Sequence, residues 1–260
     1  MKRIAIYLIT LTDSLAPVGL ADPRGDQLIN NYLNQTSRRE AVVNMHVQYQ
    51  EAANPPVELE FTWMRKLQNG LMSHLIRIDS PPSEKGKLLL VREKDNGDAE
   101  YVAYRPNSAL KKKVRISAAR NYKYKGLTIS VQELIGGELG KYDHALKESQ
   151  TVDGVVCDVV ENRLKAEFKD DSNYPRSLCY VRRDNGMLQK WELFGNSNQL
   201  EKIIRTAQIS KIQGVWTVVN AHVEDLKKKG KLTLNLKHAD YHPDLKDSLF
   251  SEEYLKRNSQ

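Results

Sequence analysis

Asp184-Asn185-Gly186 leads into Met187-Leu188-Gln189-Lys190-Trp191-Glu192-Leu193-Phe194, and further on the chain reads Leu232-Thr233-Leu234-Asn235-Leu236-Lys237. In the second stretch Leu232, Leu234 and Leu236 fall on one side of an extended chain, with Thr233, Asn235 and Lys237 on the other. Successive side chains of a strand point to opposite faces, so this period of two marks a strand with one apolar face. The stretches around it have the same character. Tyr142 to Ser149, Val155 to Phe168, Ser177 to Arg183, Leu200 to Ile212 and Trp216 to Leu226 all read as strands. The last hundred residues are therefore strand, turn and strand with little helix, closing on Leu249-Phe250-Ser251-Glu252-Glu253-Tyr254-Leu255.

Upstream the period of two persists. Val57, Leu59, Phe61 and Trp63 share a face, and Met72, His74, Ile76 and Ile78 form the next strand across Asn69-Gly70. Asn-Gly favours a tight hairpin because both central residues tolerate positive φ. Strands over Lys87 to Glu93 and Glu100 to Tyr104 flank Asp95-Asn96-Gly97, and Lys112 to Ser117 alternates again. Ahead of them all, Asp22-Pro23 supplies a cap and a first-turn proline for one amphipathic helix ending near Ser37. Its apolar stripe is Leu28, Ile29, Tyr32 and Leu33. Ser130 and Glu133 have capping-box spacing for a short helix over 131–135, before Gly136-Gly137. About a dozen consecutive antiparallel strands, without an internal linker or repeat, predict a mainly β (α+β) fold. Its core is a single highly curved antiparallel sheet or open barrel with an N-terminal helix and short plug helices.

Composition narrows the class. The hydrophobic fraction is 40% and the charged fraction 28%, which suits a sheet with one greasy face better than a doubly covered one. Lys2 and Arg3, then the apolar run Ile4 to Leu11, then Pro17 and Gly19-Leu20-Ala21, have the three-part order of a secretory signal. The division expected is a signal peptide over 1–21, cleaved near Ala21, and one domain over 22–260. Asp13 sits unusually close to the apolar run. No other segment approaches the roughly 20 apolar residues of a membrane span. Cleavage removes Lys2, Arg3 and Asp13 and takes the formal charge from +7 to +6. Lys111-Lys112-Lys113 and Lys227-Lys228-Lys229 with Lys231 read as solvated strand ends that discourage edge pairing. An anionic membrane surface would attract them by about 1 kcal/mol per residue. No aromatic interleaving marks a nucleic-acid surface, and export removes that partner.

The chemistry of catalysis is missing from the pattern. There is no P-loop, dinucleotide fingerprint or Gly-x-Ser-x-Gly elbow, and no cofactor is implied. His238-x-Asp240-x-His242, with His222 upstream, lacks companion ligands and reads as strand-end histidines rather than a metal site. His144 beside Asp143 has no nucleophile partner. Cys157 and Cys179 lie on consecutive strands but pair out of register, against a disulfide. What remains is an apolar surface. Trp63, Met64, Met72, Ile76, Leu88, Leu90, Tyr104, Val114, Trp191, Leu193 and Leu234 would line the concave side of the sheet. The helices are too few to fill that side, so a cavity for a hydrophobic ligand is expected. The ligand-contact set is Trp63, Met72, Ile76, Leu90, Tyr104, Val114, Trp191, Leu193 and Leu234.

Several segments together resemble the LolA-like, outer-membrane-lipoprotein-sorting family, nearest its larger members found beside exporters of the resistance-nodulation-division (RND) class. They are Val155-Val156-Cys157-Asp158-Val159 opening a long strand, the Asp184-Asn185-Gly186 hairpin, Gly214-Val215-Trp216-Thr217, the basic strand Lys111 to Arg115, and the closing Leu249 to Leu255. The resemblance covers roughly 41–257 and is best after 150. The chain departs from it at Tyr124-Lys125-Gly126-Leu127-Thr128-Ile129, where the family has a small, acidic and aromatic run. The resemblance implies a half-barrel plugged by helices. It further implies a non-enzymatic periplasmic carrier for a lipid or acylated lipoprotein, with an RND-type exporter as partner. A periplasmic sensor of the same fold acting on a membrane partner is the alternative. An enzyme assembled from His222, Asp240 and His242 is a third reading.

Overall fold

The computed structural model describes residues 22–52, 54–95, 99–104, 114–115, 133, 139–169 and 172–258. The expected signal segment, the Lys111-Lys112-Lys113 cluster and nearly all of the 118–140 insertion lie outside them. Of the expected short helix only Glu133 is described, and it is helical.

Among the described residues, thirteen strands form one antiparallel sheet. They are β1 (Ala41–Glu51), β2 (Val57–Gln68), β3 (Leu71–Ser80), β4 (Leu88–Glu93), β5 (Ala99–Tyr104), β6 (Val114–Arg115) and β7 (Tyr142–Val152), then β8 (Val155–Leu164), β9 (Arg176–Arg182), β10 (Leu188–Phe194), β11 (Leu200–Ile212), β12 (Val215–Asp225) and β13 (Gly230–Asp240). The order across the sheet is β6-β5-β4-β3-β2-β1-β13-β12-β11-β10-β9-β8-β7. Every neighbour is a sequence neighbour except β1 beside β13, so two meanders join at the centre and the edges are β6 and β7. Three hairpins turn on residue pairs with positive φ at both positions: Asn69-Gly70 (52° and 81°), Asp153-Gly154 (51° and 79°) and Gln213-Gly214 (50° and 80°). That geometry matches the right-handed twist of the flanking strands. Only the first of the three is an Asn-Gly signal picked out in the sequence. Asn96 and Gly97 of the Asp95-Asn96-Gly97 turn fall outside the described residues.

The register sorts the side chains into two faces. Val43 lies opposite Trp63, Trp63 opposite Ile76, and Val47 opposite Leu234. Leu234 lies opposite Ala221, Ile204 opposite Trp191, and Trp191 opposite Cys179. These residues share the face on which α1 (Pro23–Gln35) rests. Asp22 caps α1 by accepting the Arg24 amide at 2.9 Å, and Pro23 opens it. Gly25, Ile29 and Leu33, spaced at four, are its buried stripe. Gly25 allows close approach to β7, because a Cβ there would meet the His144 carbonyl oxygen at 3.0 Å. Beneath the helix His144 Nδ1 meets Asn162 Oδ1 at 2.7 Å, and Asn162 Nδ2 donates to Ser177 Oγ at 2.9 Å.

The opposite face is covered elsewhere. After β13 the chain crosses β2 to β5, where Leu245, Phe250 and Leu255 pack on Met64, Leu75, Leu88, Leu90 and Val102. Lys66 fastens this crossing through Asp247 at 2.9 Å. The closing Leu249 to Leu255 segment, ending in α2 (Glu252–Asn258), therefore lies on the side of the sheet away from α1. The cysteines are free and buried, Cys157 opposite Arg182 and Cys179 opposite Val160, which puts them on different faces.

Candidate functional site

Between α1 and the sheet lies a cavity of about 180 Å³. Its walls come from β2, β1, β13, β12, β11 and β10, in that order across the sheet. Six flat strands would spread over about 24 Å at the usual spacing, so one small cavity touches them all only if the sheet curls around it. Val43, Met45, Ile204, Leu234 and Leu236 supply apolar wall, and Tyr32, Thr36 and Ser37 close it from the helix side. The chain has three tryptophans, and Trp63, Trp191 and Trp216 all line this one space. A second cavity of about 340 Å³ lies past the C-terminal end of α1, with more charge in its walls, among them Arg38, Glu93, Lys94 and Lys141. Ser37 lines both.

Two charged residues belong to the first cavity's wall, Arg65 and Glu133. Arg65 on β2 falls two residues beyond Trp63 on the same face and is only 5% exposed. Its guanidinium stacks 4.6 Å from the Trp63 ring centroid and donates through Nη1 to the Thr36 carbonyl oxygen at 2.8 Å. Burial pulls its pKa down to about 10, opposed by the neighbouring Tyr241 hydroxyl, so it is cationic at neutral pH. Its cross-strand partner His74 is held neutral. Burial, and then the Arg65 charge, push the His74 pKa down to about 3. The neutral ring accepts the Trp63 indole N–H at Nδ1, 3.3 Å away. On β11, the fully buried Lys202 pairs with Glu133 at 2.6 Å.

The residues expected to line a pocket separate in the structure. Trp63, Trp191 and Leu234 line the cavity. Ile76 and Leu193 are buried on the same face but beside it, Leu193 packing in the cluster beneath α1. Met72, opposite Leu67, shares that face by register and is 1% exposed. Leu90 points the other way, into the cluster made by Leu245, Phe250 and Leu255, and Met64 and Leu88 go with it. Tyr104 and Val114 are described only as strand backbone, paired with Leu88 and Ala103. Arg65, Met45, Ile204, Tyr241 and the helix residues were not picked out. For Arg65 the signal was present, because the alternation that puts Phe61 and Trp63 inward puts Arg65 inward as well.

The other chemical candidates resolve into structural roles. His144 is buried against Asn162, and burial lowers its pKa. Asp240 accepts Gln213 Nε2 and the His242 amide, while exposed His222 meets Thr233. Among the described residues no three His, Cys, Asp or Glu side chains are grouped to hold a metal, and no helix is long and apolar enough to cross a membrane.

A thirteen-stranded open sheet wrapped around a mostly apolar cavity, with a helix across its concave side, is a half-barrel similar in fold to those of LolA-like proteins. Solved structures share it. A DUF1329 family protein from Desulfovibrio piger superposes with a TM-score of 0.79 at 20% identity, over 89% of this chain and 98% of that one. A putative outer membrane lipoprotein-sorting protein domain from Vibrio parahaemolyticus gives 0.80 at 17% identity, over 90% and 99%. A LolA superfamily protein from Nitrosomonas europaea gives 0.71 at 17% identity, over 88% and 98%. At these identities the likeness is one of fold. In sequence, a family described as an uncharacterized "-like" protein matches residues 70–257, and the chain belongs to that family. The comparison with curated proteins finds no match.

Proposed function

We propose that this protein is an exported carrier that holds the acyl chain of a lipid or lipoprotein in the cavity beneath α1 and passes it between the inner and outer membranes. The observation that carries the reading is that cavity. It is mostly apolar, lies between the sheet and one helix, and is lined by every tryptophan of the chain. An acyl chain gains about 0.8 kcal/mol for each buried methylene, so such a space can draw it out of water without covalent chemistry. The fold shared with a lipoprotein-sorting domain supports the same reading. In this proposal residues 1–21 direct export and are removed near Ala21, and residues 22–260 act in the periplasm as one carrier domain. An RND-type inner-membrane exporter is the donor or acceptor partner, and the lysine-rich strand ends approach anionic headgroups. Trp63, Trp191 and Leu234 are the proposed ligand contacts, with Met72, Ile76 and Leu193 behind them on the same face.

Native mass spectrometry of the protein purified from a membrane-containing lysate tests the carrier reading. Lipid adducts that are lost from a variant with a filled cavity are the expected result. A spectrum of apoprotein alone, together with no uptake of added amphiphiles, would count against it.

A further inference from the structure

The cavity has two buried donors that its own walls leave unused. Arg65 Nε and Trp191 Nε1 are both buried without a hydrogen-bond partner among the described residues. Arg65 is 95% buried and Trp191 92% buried, from exposures of 5% and 8%, and both line the cavity. The guanidinium has the Trp63 ring beside it and the neutral carbonyl of Thr36 and hydroxyl of Tyr241 as its partners, and no carboxylate among the described residues pairs with it. Nearby Glu133, which also lines the cavity, is engaged with Lys202. Buried charges are ordinarily paired, and a buried indole N–H ordinarily finds an acceptor. A purely apolar cargo would use neither donor.

We propose that Arg65 is an anion-recognition group inside the cavity. It receives the carboxylate or phosphate end of a single-chain amphiphile whose hydrocarbon lies along Met45, Ile204, Leu234 and Leu236. The inference rests on the carrier reading of the same cavity and narrows its ligand from any greasy chain to one with an acidic end placed inward. A guanidinium suits that end because its planar fork presents parallel donors to a carboxylate or phosphate.

The three tryptophans make intrinsic fluorescence a direct readout. Delipidated protein is titrated with dodecanoate, dodecyl phosphate and dodecanol, which share one chain and differ only at the head. The wild type is expected to bind dodecanoate or dodecyl phosphate about tenfold or more tighter than dodecanol, a ratio equivalent to about 1.4 kcal/mol. Whichever acid binds tighter identifies the head. Arg65→Met is expected to erase the preference while still binding dodecanol, and Arg65→Lys to keep part of it. Equal binding of all three by the wild type overturns the anion site but leaves the carrier reading standing. So does an undiminished preference in Arg65→Met. Absence of binding by all three overturns the carrier reading itself. If Arg65→Met does not fold, the wild-type comparison and Arg65→Lys still decide the question.

Discussion

Ala221→Leu is expected to move ligand affinity and protein stability in opposite directions. Ala221 sits on β12 between Thr206 and Leu234, is buried, and lines the cavity. A cavity of about 150 Å³ accommodates one benzene molecule, so 180 Å³ holds about seven carbons of an acyl chain. At about 0.8 kcal/mol per methylene that segment contributes about 5–6 kcal/mol, which alone corresponds to a Kd of about 0.1 mM. Leucine adds three carbons to the wall and displaces about as many from the ligand. Affinity then falls by about 2.4 kcal/mol, or about fiftyfold. The same carbons fill space already present, so stability is expected to rise by about 0.5–2 kcal/mol, as cavity filling commonly does. Tryptophan fluorescence titration with dodecanoate reads the first effect and urea denaturation the second. Unchanged affinity, or a loss of stability of the size that overpacking brings, refutes the assignment of this space as the ligand cavity.

Three other perturbations have defined outcomes. Glu133→Gln leaves Lys202 buried and uncompensated and is expected to cost about 3 kcal/mol or more, with Glu133→Leu combined with Lys202→Met recovering most of it in denaturant melts. Leu255→Ala, in the cluster on the far side of the sheet, is expected to cost about 2–5 kcal/mol of stability and leave the dodecanoate Kd of the folded protein unchanged. His74 sets an acid limit: its pKa is about 3 when folded and 6.5 ordinarily, so below pH 6.5 the unfolded chain takes up a proton that the folded one refuses. Its contribution is complete above pH 6.5 and is lost at about 1.4 kcal/mol per pH unit as pH falls toward 3. His74→Gln, which can still accept the Trp63 N–H, is expected to shrink the stability difference between pH 6.5 and pH 5 by about 2 kcal/mol, and an unaltered difference in urea melts excludes His74 as its source.

The sheet was legible because a half-buried strand records its own phase. Leu232 to Lys237 and Val57 to Trp63 alternate without exception, and Asn69-Gly70 fixes where one strand turns into the next. The phase fails where both faces are apolar. In Leu88-Leu89-Leu90-Val91 the alternation carries no information, and Leu90 was expected on the cavity side. In the folded chain it lies beneath Leu245, Phe250 and Leu255, contacts made by residues more than a hundred and fifty positions away. The cysteines were the easier case, since register alone separated them. Arg65 fails for a different reason. The alternation places Arg65 inward, whereas a charged residue is ordinarily solvent-facing, and the structure settles the conflict by burying the cation beside an indole. Which concave residues surround empty space and which are packed also depends on where α1 lies, a placement set by Gly25 on β7 rather than by the strands themselves.

The placement of α1 bears on release as well as binding. Its large fully buried apolar side chains are Ile29 and Leu33, worth about 1.5–3 kcal/mol each. The docking of the helix is thus of the same order as the 5–6 kcal/mol expected from an acyl segment in the cavity. Neither term dominates, so a ligand that pushes Tyr32 or Thr36 aside can trade helix contacts for its own at little net cost. Arg65 is where the two compete most directly, because its Nη1 holds the Thr36 carbonyl oxygen at the end of α1. A carboxylate arriving there replaces a neutral acceptor with a charged one and frees the helix end in the same step. On the proposed carrier reading α1 is expected to be looser in the loaded protein than in the empty one, which faster amide hydrogen exchange over Tyr32 to Thr36 on adding dodecanoate would report, and unchanged exchange would refute.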